Sequence, residues 1–246
     1  MQKENLTMLK FKKFKNMFVP GGLLVPQRIP KRETFCASNL FSAPKELWLD
    51  GYCTPVENQG SLPYCAAYSA SSFAENILWR KNHYPQQIDP VPLYKYAKTI
   101  DGSPNTPGTY LECTLEALLK FGYFDKNTCK VRSFGGKQLG NPNPIKDVRF
   151  AIHEYGCCLA GFNITTEWYN PEKVVTKDLG EHHLIKGGKK FTSEGGHAVL
   201  IVGYNLDKFL ILNSWGEPYA DKGFVYITTE EFERSFLSGS VLVGAV

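Results

Sequence analysis

The stretch GGHAVLIVGYNLDKFLILNSWG, residues 195–216, decides how this chain folds. Two apolar runs, Ala198 to Tyr204 and Phe209 to Leu212, flank the short polar segment Asn205-Leu206-Asp207. Runs of this length, rich in Val, Ile and Phe and bounded by turn residues, read as strands, and the short turn makes them a hairpin. His197 opens the first strand and Asn213 closes the second, so a hairpin brings both to one end. Each has an ordinary structural reading alone, a satisfied rim histidine and an asparagine that begins a turn. Together they place an amide beside an imidazole, with Trp215 in position to shield that contact from water.

Outward from the hairpin, Cys157 to Ile164, Phe224 to Thr228 and Val241 to Val243 also read as strands. Earlier in the chain the period changes to that of helices. Cys65 to Arg80 carries Ala70, Phe73, Ala74, Ile77 and Leu78 on one face, with Pro63 just ahead of it. Leu111, Leu115, Leu118 and Leu119 mark a second helix with Gly122 as its stop; Ile145, Val148, Ile152 and Tyr155 mark a third, closed by Gly156. Helices first and strands later predict an α+β fold rather than alternating βαβ units. The expected layout is a helical lobe over about 46–140, a lobe built on an antiparallel sheet or barrel over about 141–246, and a cleft between them. Residues 1–45, basic and interrupted by Pro20, Pro26 and Pro30, read as an extended leader.

Composition narrows the function classes. The chain has 246 residues, 43% hydrophobic and 21% charged, the proportions of an ordinary globular protein. No apolar run approaches the roughly 20 residues of a membrane span. The net charge of +4 is mild and concentrated near the start, in Lys10, Lys12, Lys13, Lys15, Arg28, Lys31 and Arg32. A solvated leader accounts for that cluster, so no nucleic-acid partner is expected. The lysines are not followed by an unbroken apolar stretch, which argues against a classical signal peptide. A cytoplasmic location or export by another route is the corresponding expectation. Seven cysteines suit one reactive thiol plus up to three pairs, or seven free thiols. No Cys-x-x-Cys or His-x-x-x-His spacing occurs, so neither a metal nor another cofactor is predicted.

Acyl transfer by a cysteine needs a thiolate, a base, a group that orients the base, and donors for the oxyanion. Cys65 sits at the predicted start of a helix, where unpaired N–H groups and the macrodipole favour negative charge. A small buried hydrophobe is the plain alternative for such a cysteine. Gln59, six residues earlier in the polar loop Glu57-Asn58-Gln59-Gly60-Ser61, can fold its amide back toward the helix start beside the Cys65 N–H.

Pro55-Val56-Glu57-Asn58-Gln59-Gly60, Cys65, Gly196-His197-Ala198-Val199 and Asn213-Ser214-Trp215-Gly216, in that order, resemble the papain-like cysteine peptidases over about residues 47–227. His197 follows Cys65 by 132 residues and Asn213 by 148, within the spacing of roughly 130–150 known for that group. The agreement is thus recognition of a known pattern. The resemblance implies an endopeptidase acting on polypeptides through a thioacyl-enzyme, as a monomer and without a cofactor. Cys65 would be nucleophile, His197 base, Asn213 orienter and Gln59 oxyanion donor. Gly108 would match the loop that bonds substrate backbone, and Tyr64, Gly196 and Trp215 would line the cleft.

The chain also departs from the family. Leu62-Pro63-Tyr64 stands where Cys-Gly-Ser/Ala precedes the nucleophile, and Ala66 where an aromatic follows it. The disulfide beside the nucleophile cannot form with Leu62, as expected of a bacterial-type member. Tyr219 replaces a second tryptophan. Two other functions use the same residues: a transpeptidase or transamidase, in which an amine intercepts the acyl-enzyme, and a binding module without catalysis. Cys157-Cys158 are expected on opposite faces of a strand, His182-His183 in a surface loop, and Cys113 and Cys129 are a conceivable pair. Phe236 and Leu237 are candidates to line an apolar pocket, and the leader to cover the cleft.

Overall fold

The computed structural model describes residues 22–24, 42–121, 129–135 and 143–244. Strand β1 (Leu47–Trp48) leads into helices α1 (Cys65–Asn82), α2 (Pro90–Ile100) and α3 (Leu111–Phe121). Strand β2 (Cys129–Gly135), helix α4 (Pro144–Tyr155) and strands β3 (Cys158–Ile164), β4 (Glu172–Thr176), β5 (Gly180–Ile185), β6 (Gly195–Tyr204), β7 (Lys208–Leu212) and β8 (Phe224–Thr228) follow. Helix α5 (Thr229–Ser235) and strand β9 (Phe236–Gly244) complete it. The fold is α+β, as the order of periods predicts. Gly122 and most of the leader lie outside the described residues.

The strands form one nine-stranded sheet in the order β2-β9-β3-β6-β7-β8-β5-β4, with β1 beside β6. Its end strands do not pair with one another, so the second lobe is an open sheet rather than a barrel among the described residues. All pairings are antiparallel except β5 with β8.

The apolar run of β6 is continuous because both faces of the sheet are covered. Val199 and Ile201 point into one cluster with Phe162, Phe209, Ile211 and Phe232, under α4 and α5. Ala198, Leu200 and Val202 point into the other, against Ala66, Ala70, Phe73 and Leu115 of the helices. The small residues Ala66, Ala67, Ala70 and Ala74 are fully buried, which lets α1 lie close to the strands. Burial of Phe73 alone contributes about 2 kcal/mol. Cys157 and Cys158 are divided in the same way, one in each cluster.

His182 and His183 are not in a surface loop. They lie in β5, antiparallel to β4, and His182 is buried. Leu184 and Ile185 carry that strand into the sheet through β8, which overrides the polar composition around them. Phe236 and Leu237 are likewise divided by strand alternation: Phe236 packs on Phe232 and Phe162, and only Leu237 faces the helical side. Helix α2, strand β2 and the β4–β5 hairpin were not anticipated.

Two carboxyls, Glu75 on α1 and Glu57 in the loop before it, are taken out of water by the fold. Glu75 is fully buried, accepts from the Ile88 N–H at 2.6 Å and from Thr54 Oγ1, and is pushed upward by burial. Glu57, half-buried, accepts from Ser71 Oγ at 3.2 Å; burial first, then the charges of Glu75 and Asp89, push it from 4.5 to about 8. A carboxyl raised on folding binds more protons folded than unfolded, so the contribution of Glu57 to stability is fully present below 4.5 and is lost as pH rises toward 8. The melting temperature is therefore expected to fall by a few degrees between pH 6.5 and pH 8, and Glu57→Gln to flatten that slope. Equal slopes for the two proteins would remove Glu57 as the cause.

Candidate active site

Cys65 is the first residue of α1, and the residue before it, Tyr64, offers no side-chain cap, so the first N–H groups of the helix stay available around the thiol. Helix and sheet meet one turn further on. Ser69 Oγ donates to the Ala198 carbonyl at 2.7 Å, and an Ala198 backbone hydrogen bond reaches Cys65. Because Ala198 follows His197, this seam joins the head of the helix to the strand that carries the histidine. Sequence reading passed over Ser69, although a serine four residues after Cys65 on an otherwise apolar face was visible.

His197 Nε2 lies 2.8 Å from Asn213 Oδ1, and the Ser214 N–H donates to that same oxygen at 2.8 Å. The oxygen is thus the acceptor in both contacts, which puts the imidazole proton on Nε2 and leaves Nδ1 able to take another. Trp215 lies over the ring with centroids 4.9 Å apart, and Trp168 meets its edge at 6.2 Å. Tyr219 closes the aromatic group from behind, 4.9 Å from Trp215 and edge-on to it, its hydroxyl donating to the Trp168 carbonyl at 2.8 Å. Trp168 sits in a short helical turn after β3 and left no readable signal in the sequence.

Gln59 is buried, its N–H bonded to the Ser214 carbonyl at 2.9 Å and its Oε1 accepting from Ser214 Oγ at 2.7 Å. Its amide nitrogen donates one hydrogen to the Leu62 carbonyl at 2.9 Å, which leaves its second. The Gly216 N–H bonds to the Glu57 carbonyl at 3.0 Å, with φ +76° and the Asn58 side chain packed against its Cα, a position suited to glycine. The loop before α1 is thereby laced to the end of β7, and Gln59, Asn213 and Ser214 move as one piece.

Gly22, Leu23 and Leu24 lie across this site. Gly22 passes so close to Cys65 that an added Cβ would stand 2.9 Å from its Sγ. The Leu23 N–H reaches the Gly196 carbonyl at 3.4 Å, the Leu24 N–H the Thr109 carbonyl at 3.0 Å, and the Thr109 N–H the Gly22 carbonyl at 3.1 Å. Leu23 runs parallel to Thr109, and its side chain is buried against Gly161 and Leu111. The residue that pairs is Thr109. The neighbouring Gly108 instead turns its carbonyl to Lys98 Nζ at 3.0 Å and the Tyr94 hydroxyl at 3.4 Å. Tyr64 stacks on Tyr94 at 3.6 Å.

With the cleft covered, burial sets the protonation. Cys65 is 1% exposed, and burial pushes its thiol up to about 12, against backbone hydrogen bonds that lower it. Burial brings His197 down to about 4, the Asn213 bond opposing. The two groups are therefore a neutral thiol and a neutral imidazole beneath Gly22. Among the described residues no cluster of three or more His, Cys, Asp and Glu side chains could hold a metal, and no helix is long and apolar enough to cross a membrane. The Cys129 side chain lies outside those described.

Two lobes with a cysteine at the helix start and a histidine–asparagine pair on the facing sheet define the papain-like class. Comparison agrees. Residues 149–242 match the family described as "Papain family cysteine protease". Papain of Carica papaya is 27% identical over 190 residues, 72% of this chain and 52% of its own. Cathepsin K of Mus musculus is 21% identical over 200 residues, 72% and 56% of the two chains. The chain spans about half the length of these curated relatives. Xylellain, a cysteine protease from Xylella fastidiosa, superposes with a TM-score of 0.68 at 17% identity, covering 94% of this chain and 99% of that one. Digestive procathepsin L 3 of Tenebrio molitor larval midgut gives 0.67 at 15%, covering 95% and 79%. The chain has the papain-like fold, and the family match with these relatives supports a papain-like cysteine peptidase.

Removing the hydroxyl that joins helix to strand tests the seam. Ser69→Ala strands the Ala198 carbonyl's partner position in a buried place and is expected to cost roughly 1–3 kcal/mol in urea unfolding. A change below a few tenths of a kcal/mol would mean that the apolar packing alone sets this junction.

Proposed function

We propose that the chain is a cysteine endopeptidase whose cleft is masked by its own leader. Cys65 loses its proton to His197 Nδ1 and attacks the scissile carbonyl; His197 returns that proton to the leaving amine. Water, deprotonated by His197, then cleaves the thioester and releases the acid. Asn213 holds the ring through Nε2, and the remaining Gln59 amide hydrogen and the Cys65 N–H receive the oxyanion. Tyr64, Gly196 and Trp215 bound the cleft, with Thr109 beside Gly108 as the edge for substrate backbone.

The observation that carries the reading is the His197 Nε2–Asn213 Oδ1 contact of 2.8 Å on the strand whose next residue, Ala198, bonds Cys65. It supports a base held in one tautomer beside a thiol, for which a binding module has no need. Residues 1–45 act as an intramolecular cover, and 46–246 as the peptidase domain of a monomer. Support comes from the three backbone bonds to Gly22–Leu24 and from the opposite displacement of the two pKa values under that cover. Loss of the cover re-admits water, which lowers the thiol, raises the imidazole and favours the ion pair.

An epoxide-type thiol inhibitor followed by intact mass tests the site. One adduct is expected on wild type, none on Cys65→Ala, and labelling roughly 10²–10⁴-fold slower on His197→Ala. An adduct that persists on Cys65→Ala would assign the reactive thiol elsewhere, and no adduct on folded protein, both with and without residues 1–42, would favour the binding module. Deleting residues 1–42 is expected to speed labelling at least tenfold; an unchanged rate would end the masking proposal.

A further inference from the structure

Thr109 presents its N–H and C=O to an extended backbone, yet it belongs to no strand. It closes the irregular loop 101–109 between α2 and α3, and its pairing with Leu23 is an isolated bridge. Such an edge needs something else to hold it. Asp101, its side chain fully buried, accepts from the Ser103 N–H at 2.8 Å, from Thr109 Oγ1 at 2.8 Å and from Lys98 Nζ at 2.7 Å. Lys98, its side chain 11% exposed, spends its other two hydrogens on the carbonyls of Thr106 at 2.9 Å and Gly108 at 3.0 Å. The Tyr94 hydroxyl reaches the same Gly108 carbonyl at 3.4 Å, and the Tyr94 ring stacks on Tyr64, the residue before Cys65. Burial raises Asp101, and the hydrogen bonds from Lys98, Ser103 and Thr109 outweigh it, so the carboxyl ionises below its ordinary range. All three ammonium donors and both ends of the loop are thus tied to one buried ion pair.

We propose that Lys98 and Asp101 are positioning residues for peptide backbone: they fix the Thr109 edge at a set distance from Cys65. The proposal rests on the peptidase reading for its substrate and on the Gly22–Leu24 contacts for its geometry. The clamp touches neither thiol nor imidazole. It therefore governs the pairing of an extended backbone, whether the leader or a bound peptide, and not the reactivity of the thiol. Tyr94 couples the same edge to the start of α1.

The test uses the full chain and two readouts. The first is the ratio of kcat/KM for a blocked tetrapeptide amide to kcat/KM for a blocked single-residue ester. The leader competes equally with both substrates, so its masking cancels in the ratio. Lys98→Met, and Lys98→Met/Asp101→Asn in which neither charge is left unpaired, are expected to lower this ratio about tenfold, with Lys98→Arg restoring part of it. The second is alkylation of Cys65 by iodoacetamide, expected to speed up severalfold in the same variants as the leader loosens. Tyr94→Phe, which loses only a hydroxyl, is expected to shift both by about twofold and serves if the charge variants do not fold. An unchanged ratio in folded variants overturns the proposal. If neither wild type nor the chain lacking residues 1–42 turns over either substrate, the peptidase reading fails separately, and alkylation alone decides: a faster rate supports the clamp and an equal rate overturns it.

Discussion

One buried hydrogen bond, from Ser69 Oγ to the Ala198 carbonyl, fastens the helix that begins at Cys65 to the strand that carries His197. Around it the packing is made of small side chains, Ala66, Ala67 and Ala70 on the helix and Ala198 on the strand, all fully buried. Small residues bring two backbones close, and a close approach fixes distance more tightly than long flexible side chains do. The thiol at the head of the helix and the imidazole at the head of the strand inherit that distance. The second seam, from Glu57 and Gln59 to Ser214 and Gly216, carries the asparagine that orients the ring. The site is a junction of two lobes before it is a set of side chains.

Burial at that junction works against the chemistry that the residues suit. A thiolate–imidazolium pair needs water or fixed dipoles around two charges, and under Gly22 both partners are driven to their neutral forms. Gly22, Leu23 and Leu24, laid against Cys65, Gly196 and Thr109, keep that water away. On the proposed reading, masking and electrostatic silencing are one effect with one cause, the exclusion of water by a closely applied backbone. Gly196 contributes by lacking a side chain: a Cβ there would stand 2.5 Å from the Leu23 carbonyl oxygen.

Legibility in the sequence followed the strength of local signals. The hairpin of β6 and β7 was readable because its strands are long and apolar and its turn is polar. Helices α1, α3 and α4 were readable from their period and from Gly156 at the end of α4. Helix α2 was not, since Pro90 and Pro92 with Tyr94 and Tyr96 disguise its face, although Asp89 caps it by accepting from the Val91 N–H. Strand β4 is polar and largely exposed, and the pairing of β5 with β8 is what carries the hairpin into the sheet. In the site, Cys65, His197, Asn213 and Gln59 were singled out by residue type and spacing. Thr109, Ser69 and Trp168 were missed because they work through backbone geometry or loop packing, where residue type carries little information.

The departure at Leu62 shows how such geometry can be kept by other means. A disulfide ahead of the nucleophile would tie the start of α1 to a neighbouring loop and act largely on the unfolded chain, by limiting its conformations. Here the start of α1 is tied through the Tyr64–Tyr94 stack and on to Gly108, with the Lys98–Asp101 ion pair holding the loop from the other side. These contacts exist only in the folded state, so they give precision without constraining the denatured chain. They are also indifferent to thiol redox poise at this place in the fold. A buried ion pair with every donor satisfied is little screened by salt. The ion pair ties this loop to the protonation of Asp101, whose hydrogen bonds hold it below the ordinary carboxylate range.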